Sequence, residues 1–112
     1  EESYNRLGLQ KAPKYICWGK ENRSTCIRIP STKEDSRIEI RTADPECNPY
    51  LVFTLIIYAA MDGIKNNIQA PEEIKTNLFE DTNTKIEALP DTLDCAKDIA
   101  MKSEFIKRII EQ

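Results

Sequence analysis

The chain has 112 residues, 40% hydrophobic and 31% charged, enough for one compact domain with a core and too few for two. Its formal net charge of −3 speaks against a nucleic-acid or anionic-membrane role, which normally shows as a basic excess. With no histidine, the chain lacks the commonest metal ligand and the commonest general base near neutral pH.

The first half reads as strands lying within residues 14–42. Tyr15-Ile16-Cys17-Trp18 is bounded by Pro13 and Gly19, and Ser24 to Ile29 is stopped by Pro30, which removes a ladder donor. Arg37 to Arg41 alternates, with Ile38 and Ile40 on one face and Arg37, Glu39 and Arg41 on the other. The connection from Pro30 to Ser36 suits a hairpin, so a three-stranded antiparallel meander is the economical expectation. Asn48-Pro49 then opens a long helix over about 49–67, Asn as the N-cap and Pro at the first helical position. From Tyr50 to Met61 nearly every residue is apolar. That run is shorter than the roughly 20 residues of a membrane span, so the helix must be buried on more than one side. Three small strands cover one face, and the remaining layer must come from more polypeptide or another subunit.

Residues 69–90 are polar and bounded by prolines, an extended surface segment. Two amphipathic helices over about 92–111 finish the chain, the second capped by Ser103, with an Asp98–Lys102 pair on the first. The fold class expected is therefore α+β: a three-stranded antiparallel sheet, a long buried helix and two short C-terminal helices. Cys17, Cys26, Cys47 and Cys95 are widely spaced with no Cys-x-x-Cys pair, which argues for free thiols in a reducing cytosol rather than zinc or a disulfide scaffold.

Two segments place arginines in strands: Asn22-Arg23-Ser24-Thr25-Cys26-Ile27-Arg28-Ile29-Pro30 and Arg37-Ile38-Glu39-Ile40-Arg41. Paired in register, they put Arg28, Glu39 and Arg41 on one face and Ile27, Ile29, Ile38 and Ile40 on the other. The guanidinium fork matches carboxylate and phosphate oxygens. A carboxylate among arginines is either their salt-bridge partner or a ligand for a hard cation. A solvated, salt-bridged outer sheet face explains the same alternation.

The ordered motifs Tyr4-x-Arg6-Leu7, Ala12-Pro13, Trp18-Gly19, Asn22-Arg23-Ser24, Ile27-Arg28-Ile29-Pro30, Arg37-Ile38-Glu39-x-Arg41, Asp44-Pro45, Asn48-Pro49-Tyr50-Leu51 and Asp62-Gly63-Ile64 together resemble the late part of class I glutamine synthetases. The likeness covers residues 3–68 and continues through Leu89-Pro90, Leu93 and Glu104-Phe105. It implies the C-terminal portion of the catalytic domain of a ligase that makes glutamine from glutamate, ammonia and ATP through γ-glutamyl phosphate. By the same resemblance Arg23 contacts glutamate and the transferring phosphoryl group, the catalytic role. Arg6 and Arg41 hold glutamate, Arg28 binds ATP phosphates, Arg37 and Lys33 lie beside the nucleotide, and Glu39 is a ligand of the second divalent metal. The resemblance implies Mg2+ (or Mn2+), with ATP as co-substrate, both needing residues outside this chain. It also implies a cytoplasmic, homo-oligomeric ring parent in which the 112-residue piece alone is inactive.

Two positions depart from the family pattern. Lys11 stands where a flap glutamate precedes Ala-Pro, and Phe79 stands where some members carry an adenylylated tyrosine after Asn-Leu. Alternatives left open are a related γ-glutamyl ligase using a larger amine, a non-catalytic glutamine-synthetase-like binding protein, and a plain interaction domain.

Overall fold

A computed structural model of the chain describes residues 2–9, 11–32, 34, 36–81 and 84–111. It divides into two units: Glu1–Thr42 with Pro71–Asp91, and Ala43–Ala70 with Thr92–Gln112.

The first unit opens with a 3-10 turn, Glu2–Arg6, and carries a three-stranded sheet among the described residues: β1 (Trp18–Lys20), β2 (Ile27–Ile29) and β3 (Glu39–Ile40), in that spatial order. The α+β class is as expected; the pairing is not wholly antiparallel. β2 and β3 pair antiparallel, with Arg28 opposite Glu39 and Ile27 opposite Ile40, but β1 and β2 run parallel, Trp18 opposite Ile27. The cause lies in the connection. Glu21 takes a positive φ of 55° at the end of β1, and a turn closed by the Thr25 N–H to the Asn22 carbonyl (3.4 Å) carries the chain back to the start of the strand. There the Ile27 N–H bonds the Cys17 carbonyl at 3.1 Å, so β2 sets out in the direction of β1.

Small residues form the interior of this unit. Thr25 (0% exposed), Pro13, Ala12, Cys17, Cys26, Gly19, Ser24 and Leu78 are buried, and Thr25 Oγ1 lies 2.7 Å from the Asn22 carbonyl. The described residues of 71–91 are exposed or half-buried apart from Leu78, and the segment is tied down at both ends. The Ile74 N–H bonds the Trp18 carbonyl, and further along Tyr15 and Ala88 form an antiparallel bridge.

Cys17 and Cys26 direct their thiols at one carbonyl, that of Tyr15, at 3.4 and 2.7 Å. Burial pushes the Cys17 thiol up, partly offset by a contact with the Cys26 backbone. Burial first, and then the neighbouring Cys17, push Cys26 up to about 11. The protonated thiol's stabilisation is fully present below the ordinary value of 9.0 and is lost as pH rises through about 11. Thiolate is the reactive form, so at pH 8 iodoacetamide labels exposed Cys95 while Cys17 and Cys26 stay unlabelled until denaturant is added. Peptide mass mapping reads this, and equal labelling of all four sites would contradict it.

The second unit contains α1 (Pro49–Lys65), α2 (Leu93–Lys102) and α3 (Glu104–Ile110). The Asn48 side chain accepts from the N–H groups of Tyr50 (3.0 Å) and Leu51 (3.3 Å), the cap its sequence signals. Thr92 and Ser103 cap α2 and α3 in the same way, and Lys102 pairs with Asp98 at 2.8 Å. No residue of α1 is buried: Tyr50 is 84% and Ile64 82% exposed, and Phe53, Ile57 and Met61 are also open. A 17-residue helix this apolar requires a cover beyond α3, which leaves a groove of about 290 Å³ against α1 lined by Tyr58, Met61, Phe105 and Ile109.

Candidate functional site

The site grows from β2 and β3. Because Arg28 and Glu39 are directly opposed, their side chains leave the same face of the sheet, and Arg28 Nη1 meets Glu39 Oε2 at 3.1 Å. The Arg41 N–H continues the pairing by bonding the Cys26 carbonyl, and its Nε meets Glu39 Oε1 at 2.9 Å. One carboxylate is thus shared between two guanidinium groups. Arg28 is buried (6% exposed) and takes a second carboxylate, Glu21 Oε2, at 3.3 Å. Glu21 Oε1 in turn accepts the Ser31 N–H. Two arginines balance two glutamates, which is what makes burial of Arg28 tolerable.

Not every donor is used. Arg28 Nε and Arg41 Nη1 are buried without a hydrogen-bond partner among the described residues. An orphaned N–H of this kind costs roughly 1–3 kcal/mol, so the cluster retains a capacity for acceptor oxygens. The backbone completes the surroundings. Arg41 Nη2 donates to the Lys11 carbonyl at 3.1 Å, with Lys11 itself at φ 75°. Arg6 Nη2 donates to the Thr42 carbonyl at 3.0 Å and its Nε to Ser3 Oγ at 3.1 Å, bringing the 3-10 turn beside the end of β3.

The structure therefore brings Arg28, Glu39 and Arg41 into direct contact and seats Arg6 on the residue after Arg41. Arg23 and Arg37 are exposed and make no ion pair with a described residue; Lys33 lies outside the described residues. Of the two readings of Glu39, salt-bridge partner of arginines is the geometry present. Among the described residues no group of three or more His, Cys, Asp or Glu could hold a metal ion, and both oxygens of Glu39 face guanidinium nitrogens. By themselves, the residues present do not make a magnesium site.

Sequence reasoning missed Glu21, the Lys11 carbonyl and Asn22. Glu21 and Lys11 act through positive-φ backbone at non-glycine residues, which nothing in the sequence marks. Asn22 carried a signal, since an Asn side chain commonly bonds the backbone N–H two residues on.

The mixed sheet presents an arginine–carboxylate cluster, and guanidinium groups are the side chains whose forked donors match oxyanions. The family model described as glutamine synthetase, catalytic domain, matches residues 1–112. A glutamine synthetase of Staphylococcus aureus (strain MW2) is 40% identical over 116 aligned positions, covering 96% of this chain and 26% of the relative. A glutamine synthetase of Methanosarcina mazei is 43% identical over the same extent. The chain belongs to the glutamine synthetase catalytic-domain family. It spans about a quarter of the length of these curated relatives.

Proposed function

We propose that the chain is the C-terminal portion of an ATP-dependent glutamate–ammonia ligase that forms glutamine through γ-glutamyl phosphate, and that it is inactive alone. The observation that carries this is the Arg28–Glu39–Arg41 cluster with its two unpartnered buried N–H groups. Phosphoryl transfer needs fixed positive charge around the moving group more than covalent chemistry. Arg28 binds ATP phosphates, with Arg37 and Lys33 beside the nucleotide. Arg41 and Arg6 hold the carboxylates of glutamate. Arg23, whose guanidinium has no partner among the described residues, contacts glutamate and stabilises charge on the transferring phosphoryl group.

Magnesium or manganese would neutralise phosphate charge when bound, and Glu39 would supply one ligand of a set completed outside this chain by giving up one of its two arginine contacts. In this reading the remaining polypeptide and neighbouring subunits of a cytoplasmic homo-oligomeric ring provide those ligands and cover α1. The exposed apolar surface of α1 and the quarter-length match support that reading.

Phosphate release by the full-length parent with Mg2+, ATP and glutamate, with and without ammonia, tests the proposal. Ammonia-dependent release is expected. Release that needs a larger amine would move the parent to a related γ-glutamyl ligase, and no release with any amine would leave a non-catalytic binding protein. Lys11 favours neither outcome by itself: its contact with Arg41 is made by the backbone carbonyl and not by the side chain.

A further inference from the structure

Arg23 sits exposed within the turn of residues 22–25, and its guanidinium has no hydrogen bond or ion pair to a described residue. The place and direction from which its side chain sets out are therefore fixed by the backbone of that turn. Asn22 Oδ1 accepts from the Ser24 N–H (3.0 Å) and from Ser24 Oγ (2.6 Å), and buried Thr25 closes the turn from the inside. On the outside the same side chains reach a different stretch of chain. Asn22 Nδ2 donates to the Ile74 carbonyl and to the Thr76 carbonyl, each at 2.9 Å. Ser24 Oγ accepts the Leu78 N–H at 2.9 Å, and Leu78 is buried. The two donors of one amide and the oxygen of one hydroxyl thus hold residues 74, 76 and 78 of one segment.

A second observation points the same way. A Cβ on Gly19 would stand 2.6 Å from the Ile74 carbonyl oxygen and 2.9 Å from Asn22 Cβ, so glycine is what lets the segment lie against β1. The segment is fastened there as well. The Ile74 N–H bonds the Trp18 carbonyl at 2.9 Å, Trp18 Nε1 donates to the Pro71 carbonyl at 2.6 Å, and Lys20 lies 3.9 Å from Glu73.

We infer that residues 71–78 form a strap that fixes the aim of Arg23, with Asn22 and Ser24 as positioning residues for the reaction. The inference rests on the role proposed above for Arg23. A shift of about 1 Å in a group at the reacting centre can lower turnover about 100-fold, so a turn freed from its strap is expected to be read in kcat.

The test is Asn22→Asp in the full-length parent. It keeps an oxygen for Ser24 but sets a second oxygen against two carbonyls 2.9 Å away, releasing the strap while leaving the turn. Expected are faster amide exchange at Ile74 and Leu78, a kcat lowered about 10- to 100-fold, a KM for ATP nearly unchanged, and unaltered circular dichroism and assembly. In an Arg23→Ala background the same substitution is expected to add nothing. Full activity of Arg23→Ala would remove the reading of Arg23 whatever Asn22→Asp does. If Arg23→Ala is crippled and Asn22→Asp frees the strap at normal kcat, the strap is overturned. Losses that simply multiply in the double variant overturn it too, because Asn22 then acts by another route. Should Asn22→Asp fail to assemble, Ser24→Ala removes the acceptor for Leu78 and is judged by the same exchange, kcat and double-variant readings.

Discussion

Arg23→Ala in the full-length parent is expected to lower kcat by about 10²–10³, corresponding to about 3–4 kcal/mol of transition-state stabilisation, with a much smaller change in the KM for ATP. The magnitude follows from what an arginine at the transferring group does. Its positive charge is worth most when negative charge on the phosphoryl oxygens is greatest, in the transition state, and less in the ground state. The structure adds a reason for the split between kcat and KM. Arg28 and Arg41 are built into ion pairs and hold their positions without ligand, whereas Arg23 is exposed and has no ion pair among the described residues. Removing Arg23 breaks no ion pair, so stability and the Arg28 side of the site are expected to be preserved. Steady-state kinetics alongside a denaturation curve checks both halves. An unchanged kcat would sink the assignment, and a large fall in stability would show a structural role that the geometry does not contain.

How much of this was legible depends on which physical signal each element carries. The start of α1 was legible because Asn48-Pro49 is a local signal, and local signals do not depend on the rest of the fold. The same holds for Ser103 as a cap; Thr92, which caps α2, is not among the expected caps. The opposition of Arg28 and Glu39 was legible from alternation once β2 and β3 were assumed to pair. Direction was not. Alternation assigns a face and says nothing of which neighbour a strand chooses, so the parallel β1–β2 pair was missed. Burial was misjudged for the same reason: Ile38, expected on the covered apolar face, is 56% exposed. The strap was hidden because its contacts join residues more than 50 positions apart, from Asn22 to Ile74 and from Ser24 to Leu78. Polar composition alone made residues 69–90 look like plain surface, and Leu78 is the buried residue that contradicts it.

Glu39→Gln is expected to destabilise the protein by about 1–3 kcal/mol before any substrate is added, a loss seen in urea denaturation of the ligand-free form. Removing one partner of a fully buried ion pair costs about 3–5 kcal/mol. The Glu39 side chain is 38% exposed, so water compensates part of that and the lower range applies. The loss falls unequally on the two arginines. Arg28 still has Glu21, but Arg41 keeps only the Lys11 carbonyl among the described residues, while its Nη1 is already without a partner. Removing the stranded charge as well, in Glu39→Gln with Arg41→Gln, should recover part of the stability, since deleting both partners leaves fewer buried groups unsatisfied. The two roles of Glu39 separate at this point. A carboxylate that serves only as a metal ligand would leave ligand-free stability untouched and move the magnesium dependence of turnover. One that also neutralises Arg28 and Arg41 moves both. Unchanged ligand-free stability would therefore show that water, and not Glu39, balances the two guanidinium charges.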